Sequence, residues 1–223
     1  IAALQGMPIA LEVLRDTAKG DEKDEISQEQ IDYAYMRAKF AEDQVRRGFP
    51  AIVKHTCVAG WAHMEALSSN IVLTFMQNKP EILQEEPYCL VKTSLYEWEN
   101  MGETERLYHI FKEVDRKIGA NNKPGISRIE EHCKCLGLWG QITEETRRNI
   151  LELYFVRNIV LHNGGYIDPH FLQKTPWCRA NVGDLVKISI DDYKRYFYFL
   201  HHYLVILINR LRVNCGMEKV SEE

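Results

Sequence analysis

Leu153-Tyr154-Phe155-Val156-Arg157-Asn158-Ile159-Val160-Leu161-His162-Asn163-Gly164-Gly165 is the stretch on which the fold turns. Its apolar positions extend from Ile150 and Leu151 through Leu153, Tyr154, Val156, Ile159, Val160 and Leu161, the density of a buried helix. Thr143-Glu144-Glu145 opens that helix, since a threonine cap and an acidic first turn suit the positive end of the helix dipole. Asn163-Gly164-Gly165 closes it with a left-handed C-terminal signal.

Outward from this helix the same period recurs. Residues Asp191–Val213 carry Tyr193, Phe197, Leu200, Leu204, Leu207, Ile208 and Leu211, which predicts a long final helix. Asp184–Ile190 alternates and predicts a short extended segment, after a turn-rich loop. Ala51–Gln77, with Val53, Val58, Trp61, Met64, Leu67, Ile71, Val72 and Phe75, predicts another long helix, closed by Asn78-Lys79-Pro80; Glu65 reads as an exposed charge on it. Before it, Ser27-Gln28-Glu29-Gln30 reads as a capping box whose helix runs to Arg47 and stops at Gly48-Phe49-Pro50. Ala3–Lys19 places Leu4, Met7, Leu11 and Leu14 on one helical face. Gly20 and the charged run Asp21–Glu25 read as a solvated connector. In the middle, Glu103–Ile118 is helical by its spacing, Asn121–Gly125 is a loop, and Ser127-Arg128-Ile129-Glu130 reads as a second capping box, its helix failing at Gly137 or Gly140. There is no internal repeat. The expectation is an all-α antiparallel bundle of five to seven helices in a single domain over 1–223, with residues 81–141 as an insertion.

Composition narrows the function classes. Lys and Arg number 28 against 32 Asp and Glu, a formal charge of −4. A histone-like nucleic-acid coat is excluded, because sequence-independent phosphate binding needs surplus positive charge; a local basic cleft is not. The longest uncharged run, Tyr196–Asn209, falls short of the ~20 apolar residues of a membrane span. No basic stretch precedes an apolar core at the start, so no signal peptide is expected. The six cysteines are too dispersed for a disulfide scaffold, which points to a reducing cytoplasm. His132-Cys133-Lys134-Cys135 resembles half a zinc site, but no second half follows, and no metal or cofactor is expected.

Arg157, Asn158 and His162 stand among large apolar residues, where an unpaired charge is costly to bury. At ~100° per residue Asn158 and His162 share a face, while Arg157 lies ~140° from His162. Two copies across a symmetric interface bring all three to a shared groove, which favours a homodimer. His162, at the helix end beside a fixed positive charge, suits general acid–base work on a phosphodiester. A structural reading stands beside this one, in which Arg157 pairs with Glu152 or Asp168 and His162 caps the helix.

Arg157-Asn158-x-x-x-His162 resembles the Arg-x4–6-His signature of the HEPN superfamily (higher eukaryotes and prokaryotes nucleotide-binding domains), in which the arginine is often followed by Asn. The resemblance is sharp over about 151–168 and loose over 51–77 and the final helix. It implies a metal-independent endoribonuclease acting as a homodimer, of the kind found among toxins and antiviral defence proteins. Arg157 would bind the scissile phosphate, His162 would act as general acid or base, and Asn158 would orient His162 or bond the phosphate. An RNA substrate such as tRNA and an antitoxin or activator partner are implied with it. Some toxins of the superfamily carry a modifiable tyrosine two residues after the histidine; here Gly164 stands there, so that control does not carry over to Tyr166. The alternative is a HEPN-like module that binds RNA or a protein without cutting.

Other patterns read as packing. His201 and His202 are neighbours pointing ~100° apart and do not chelate together. The aromatic run Tyr193, Tyr196, Phe197, Tyr198, Phe199 and Tyr203 has core spacing, though stacked bases are the other use of such residues. Arg46-Arg47, Arg147-Arg148 and Arg210-x-Arg212 are small basic clusters able to flank an RNA groove. Phosphate-loop, dinucleotide, Gly-x-Ser-x-Gly and His-Glu-x-x-His patterns are absent.

Overall fold

Helix signals dominate the chain, and helices dominate the computed structural model, which describes residues 2–17 and 26–220. Nine α-helices occur among the described residues: α1 Ala2–Thr17, α2 Gln28–Arg46, α3 Pro50–Asn78, α4 Leu95–Asn100, α5 Glu103–Lys117, α6 Ser127–Cys135, α7 Glu144–His162, α8 Pro169–Lys174 and α9 Ile190–Asn214. The protein is all-α. The seven longer helices match the seven periodic stretches; the six-residue α8 falls in the turn-rich loop, and α4 lies in the region 81–141 at positions where no element was read. The charged connector Asp21–Glu25 lies outside the described residues. The alternation at 184–190 yields no strand, only an antiparallel bridge between Tyr166 and Leu185. Each described helix is too short or too polar to cross a membrane.

Two compact units are present. The smaller comprises the described residues of Ile1–Lys54 with Lys187–Ile190. Ser27 caps α2 as expected: its Oγ accepts from the Gln30 amide at 3.2 Å, and the Gln30 side-chain oxygen accepts from the Ser27 amide at 2.9 Å. Tyr35 donates to Glu12 across α1 and α2. The expected core face of α1 is corrected, because Met7 and Leu14 are 43% and 56% exposed while Pro8 is buried. Arg46 and Arg47 both pair with Asp43 in the last turn of α2.

The larger unit comprises His55–Val186 and the described residues of Asp191–Glu223. Its core gathers Trp61, Met64 and Met76 of α3, Val114 of α5, Ile150, Leu153 and Val156 of α7, and Tyr203 and Leu207 of α9, all buried. Trp61 meets Tyr154 edge-on at 5.2 Å. Close approach of α3 and α9 depends on Gly60, where an added Cβ would lie 2.6 Å from the Phe197 ring.

The second capping box does not form. Ile126, not Ser127, is the N-cap of α6 and makes no side-chain cap bond. Glu130 is buried instead, accepting from Tyr203 at 2.6 Å and Arg210 at 2.8 Å. A carboxylate needed by two donors of α9 is not available to cap its own helix. On the other side of α6, Asp115 holds Arg128 at 2.8 Å and the His132 Nε2 at 2.9 Å. Burial pushes the His132 pKa down despite Asp115, and these two donors hold Asp115 below the usual carboxylate range against its own burial. Glu65, expected in solvent, is half-buried and 3.9 Å from Arg128. All six cysteines are free, and burial raises the Cys133 thiol to about 12.

Candidate functional site

The helix α7 starts where its cap requires, with the Thr143 hydroxyl accepting from the Thr146 amide at 3.2 Å. It ends at His162, and the chain then turns through Gly164, whose φ of 61° is a left-handed conformation that favours glycine. The Gly165 amide donates back to the Ile159 carbonyl at 2.8 Å. The turn is continued by Asp168, which caps α8 by accepting from the Phe171 amide at 2.7 Å and takes a second bond from the Asn163 side chain at 2.6 Å. The end of α7 and the start of α8 are thus tied through one carboxylate.

An open cleft of about 560 Å³ lies at this junction, bounded by the C-terminal half of α7, by α8 and by the loop at Asn122 and Pro124. Arg157, Asn158 and His162 all line it. The wheel separates Arg157 from His162, but the guanidinium folds round to donate from Nη1 to the Asn158 side-chain oxygen at 2.9 Å. Arg157 and Asn158 are half-buried and His162 is exposed.

Neither carboxylate considered as a structural partner of Arg157 takes that role. Glu152 is occupied by Arg195 at 2.7 Å, Tyr196 at 2.7 Å and the Trp177 indole N–H. Asp168 is occupied by its two α8 and loop donors. Among the described residues Arg157 has no ion pair, and its Nε is buried with no hydrogen-bond partner. An unpaired donor on a charged group costs more than the ~1–3 kcal/mol of a neutral one. The His162 ring has no hydrogen bond among the described residues either, so it does not cap the helix through a side-chain bond.

Sequence reasoning missed His170 and Lys174, which line the same cleft from α8. Their signal was Asp168-Pro169, a cap followed by proline at the first helical position, with His170 and Lys174 one turn apart behind it. His170 is held edge-on by Phe155 at 5.6 Å. Tyr154 completes the wall.

The other candidates are placed elsewhere. Arg148 lies over the Trp177 ring at 4.7 Å, and Arg210 is engaged with Glu130 and the Gly140 carbonyl. Arg212 donates to the Glu218 carbonyl. His202 stacks on Tyr198, while Tyr196, Phe199 and Tyr203 are core. His132 and Cys133 of the zinc-like stretch are buried, and among the described residues no three His, Cys, Asp or Glu side chains gather as metal ligands. No family model matches the chain, and no curated protein or solved structure matches it either.

What the cleft can do follows from its groups. A guanidinium with no carboxylate partner offers N–H donors to an anion, and a fork of that kind suits phosphate. An exposed imidazole beside it can take or give a proton. An amide side chain sits next to the guanidinium.

Proposed function

We propose that the chain is a HEPN-type endoribonuclease that cuts RNA without a metal, working as a homodimer with the cleft at the interface, and serving as a toxin or anti-phage effector. The observation that carries this reading is the meeting of Arg157, Asn158 and His162 in one open cleft with the arginine left without a carboxylate. A structural arginine would have claimed Glu152 or Asp168.

The ribose 2′-oxygen attacks the adjacent phosphorus, forming a new P–O bond as the P–O5′ bond breaks. The products are a 2′,3′-cyclic phosphate and a 5′-hydroxyl end. The proton leaving the 2′-hydroxyl is matched by one delivered to O5′, and His162 serves one of these transfers, with His162 of a second copy available for the other. Arg157 stabilises the charge that builds on the non-bridging oxygens, a contribution of the kind that costs ~10²–10³ in rate when one donor is lost. Asn158, bonded to Arg157, holds that guanidinium toward the phosphate. DNA lacks the attacking hydroxyl and is spared.

The test is incubation of purified protein with total tRNA and a labelled single-stranded RNA in excess EDTA, beside Arg157→Ala and His162→Ala. The expected result is cutting by the wild type alone, leaving cyclic-phosphate ends, with all three proteins folded and dimeric. RNA bound but intact under the wild type would replace the nuclease reading with that of a binding module. Cutting that survives both substitutions would place the activity elsewhere.

A further inference from the structure

The cleft is wider in chemistry than the motif that marks it. Opposite the α7 residues, His170 and Lys174 project from successive turns of α8 into the same space. Both are exposed, and neither has a hydrogen bond or ion pair to a side chain among the described residues. Three other basic side chains of the larger unit are engaged instead: Arg195 with Glu152, Arg210 with Glu130 and Arg128 with Asp115.

Acidic groups in the cleft are fewer than basic ones. Among the described residues Asp168 is the one carboxylate lining it, and both of its oxygens accept hydrogen bonds, from the Phe171 amide and Asn163. Arg157 and Lys174 make no ion pair among the described residues, and two cations against one carboxylate leave the cleft with a surplus of positive charge. In a chain whose formal charge is −4 this is a local reversal of sign. A cleft with a surplus of one sign of charge concentrates the opposite one. The two cationic groups stand on different helices around an open cleft of about 560 Å³, which has room for more than one phosphate group. A chain carrying regularly spaced negative charges suits such a cleft. Rigidity is supplied by the Asn163–Asp168 bond, which ties α8 to the end of α7, and by Phe155, which fixes the His170 ring.

We infer that His170 and Lys174 form a second phosphate subsite, so that the cleft holds two successive phosphates of one RNA strand, the scissile one at Arg157 and its neighbour on α8. The inference rests on the ribonuclease reading and names how that site grips its substrate. Lys174 supplies the charge at the second phosphate, and His170 supplies a ring N–H.

The test is the salt dependence of binding to a labelled single-stranded RNA, measured in a His162→Ala background so that the strand stays intact. Removing the cation that neutralises one phosphate of a single strand lowers the slope of log K against log salt by about 0.7. Lys174→Gln is expected to lower the slope by that amount, Arg157→Gln by the same amount, and the double variant by twice as much, about 1.4. Lys92→Gln, which removes an exposed charge outside the cleft, is expected to leave it alone. Circular dichroism and melting on each variant show that it is folded. A slope for Lys174→Gln equal to that of Lys92→Gln, with Arg157→Gln still responding, overturns the second subsite and leaves the ribonuclease reading intact. A double variant no worse than either single one also overturns it, because both groups would then share one phosphate. No RNA binding by the parent protein overturns the reading and the inference together.

Discussion

Two polar clusters sit on α7 five residues apart, about 7.5 Å along the helix axis, and they are opposites. Glu152 lies buried with every useful bond made: Arg195, Tyr196 and Trp177 converge on it, and Arg195 also reaches Asn149 and Asp192. Despite its burial, those donors hold the Glu152 carboxyl below the usual carboxylate range, and burial together with Glu152 raises Tyr196. Arg157 lies a turn and a half further on, with one side-chain bond to its neighbour, a buried Nε lacking a partner and an open cleft in front of it. A fold satisfies the charges that hold it together. Those it leaves unsatisfied at an open surface are poised for something that arrives. On the proposed reading the first cluster serves stability and the second recognition.

The widest separation between the two is expected in rate. On the proposed ribonuclease reading His162→Ala should slow cleavage by ~10²–10⁴, the range of a lost general acid or base, while the melting temperature stays within error. Single-turnover cleavage beside a thermal melt checks both halves. Glu152→Ala should do the reverse. Breaking a buried pair costs ~3–5 kcal/mol, to be read by urea denaturation, with cleavage at low temperature far less affected than in His162→Ala. If Glu152→Ala proved neutral in stability, the comparison would collapse.

Acid should expose the Glu152 cluster together with the buried Asp115–His132 pair. Glu152 and Asp115 have depressed folded pKa values, so their contributions are complete above the unfolded values of about 4 and are lost as pH falls through the folded ones. His132 is depressed by burial, so its contribution is present above about pH 6.5 and declines below it, where only the unfolded state takes up the proton readily. The urea midpoint should fall gently from about pH 6.5 and steeply below about pH 4. Glu152→Gln should weaken the steep limb and His132→Gln the gentle one. A midpoint flat from about pH 7 to about pH 3 would contradict both assignments.

Smaller effects test the frame around the clusters. Gly60→Ala forces a methyl against the Phe197 ring, which Tyr193 backs at 4.5 Å, and overpacking of this kind costs ~1–3 kcal/mol. Thr143→Ala removes the cap of α7 and should cost ~1 kcal/mol. Equilibrium denaturation reads both, and neither should alter where RNA is cut.

Much of the fold was legible because helices are written locally. The 3.6-residue period, the Ser27 and Thr143 caps and the Asn163-Gly164-Gly165 stop all act within a turn or two of the chain. Where the structure departs from that reading, the cause lies beyond this range. Ser127-Arg128-Ile129-Glu130 has the form of a capping box, but Glu130 is taken by Tyr203 and Arg210, residues more than seventy positions away. The apolar spacing in α1 is real, yet Met7 and Leu14 are left exposed. The polar triplet of α7 stands out in the sequence, whereas His170 and Lys174 do not, because a six-residue helix has too few positions to show a period.

From the sequence alone came the all-α class, the spans of the long helices and the presence of Arg157, Asn158 and His162 near a helix end. Those follow from interactions between residues at most four or five positions apart. Only the tertiary structure decided which charges are spent and which are free. Glu152 sits five residues from Arg157 and forty-three from Arg195, yet Arg195 holds it, because the approach of α9 to α7 brings that guanidinium to the buried face of the helix. Ion pairing in a folded chain follows distance in space and the cost of leaving a buried charge alone, and a linear sequence carries neither.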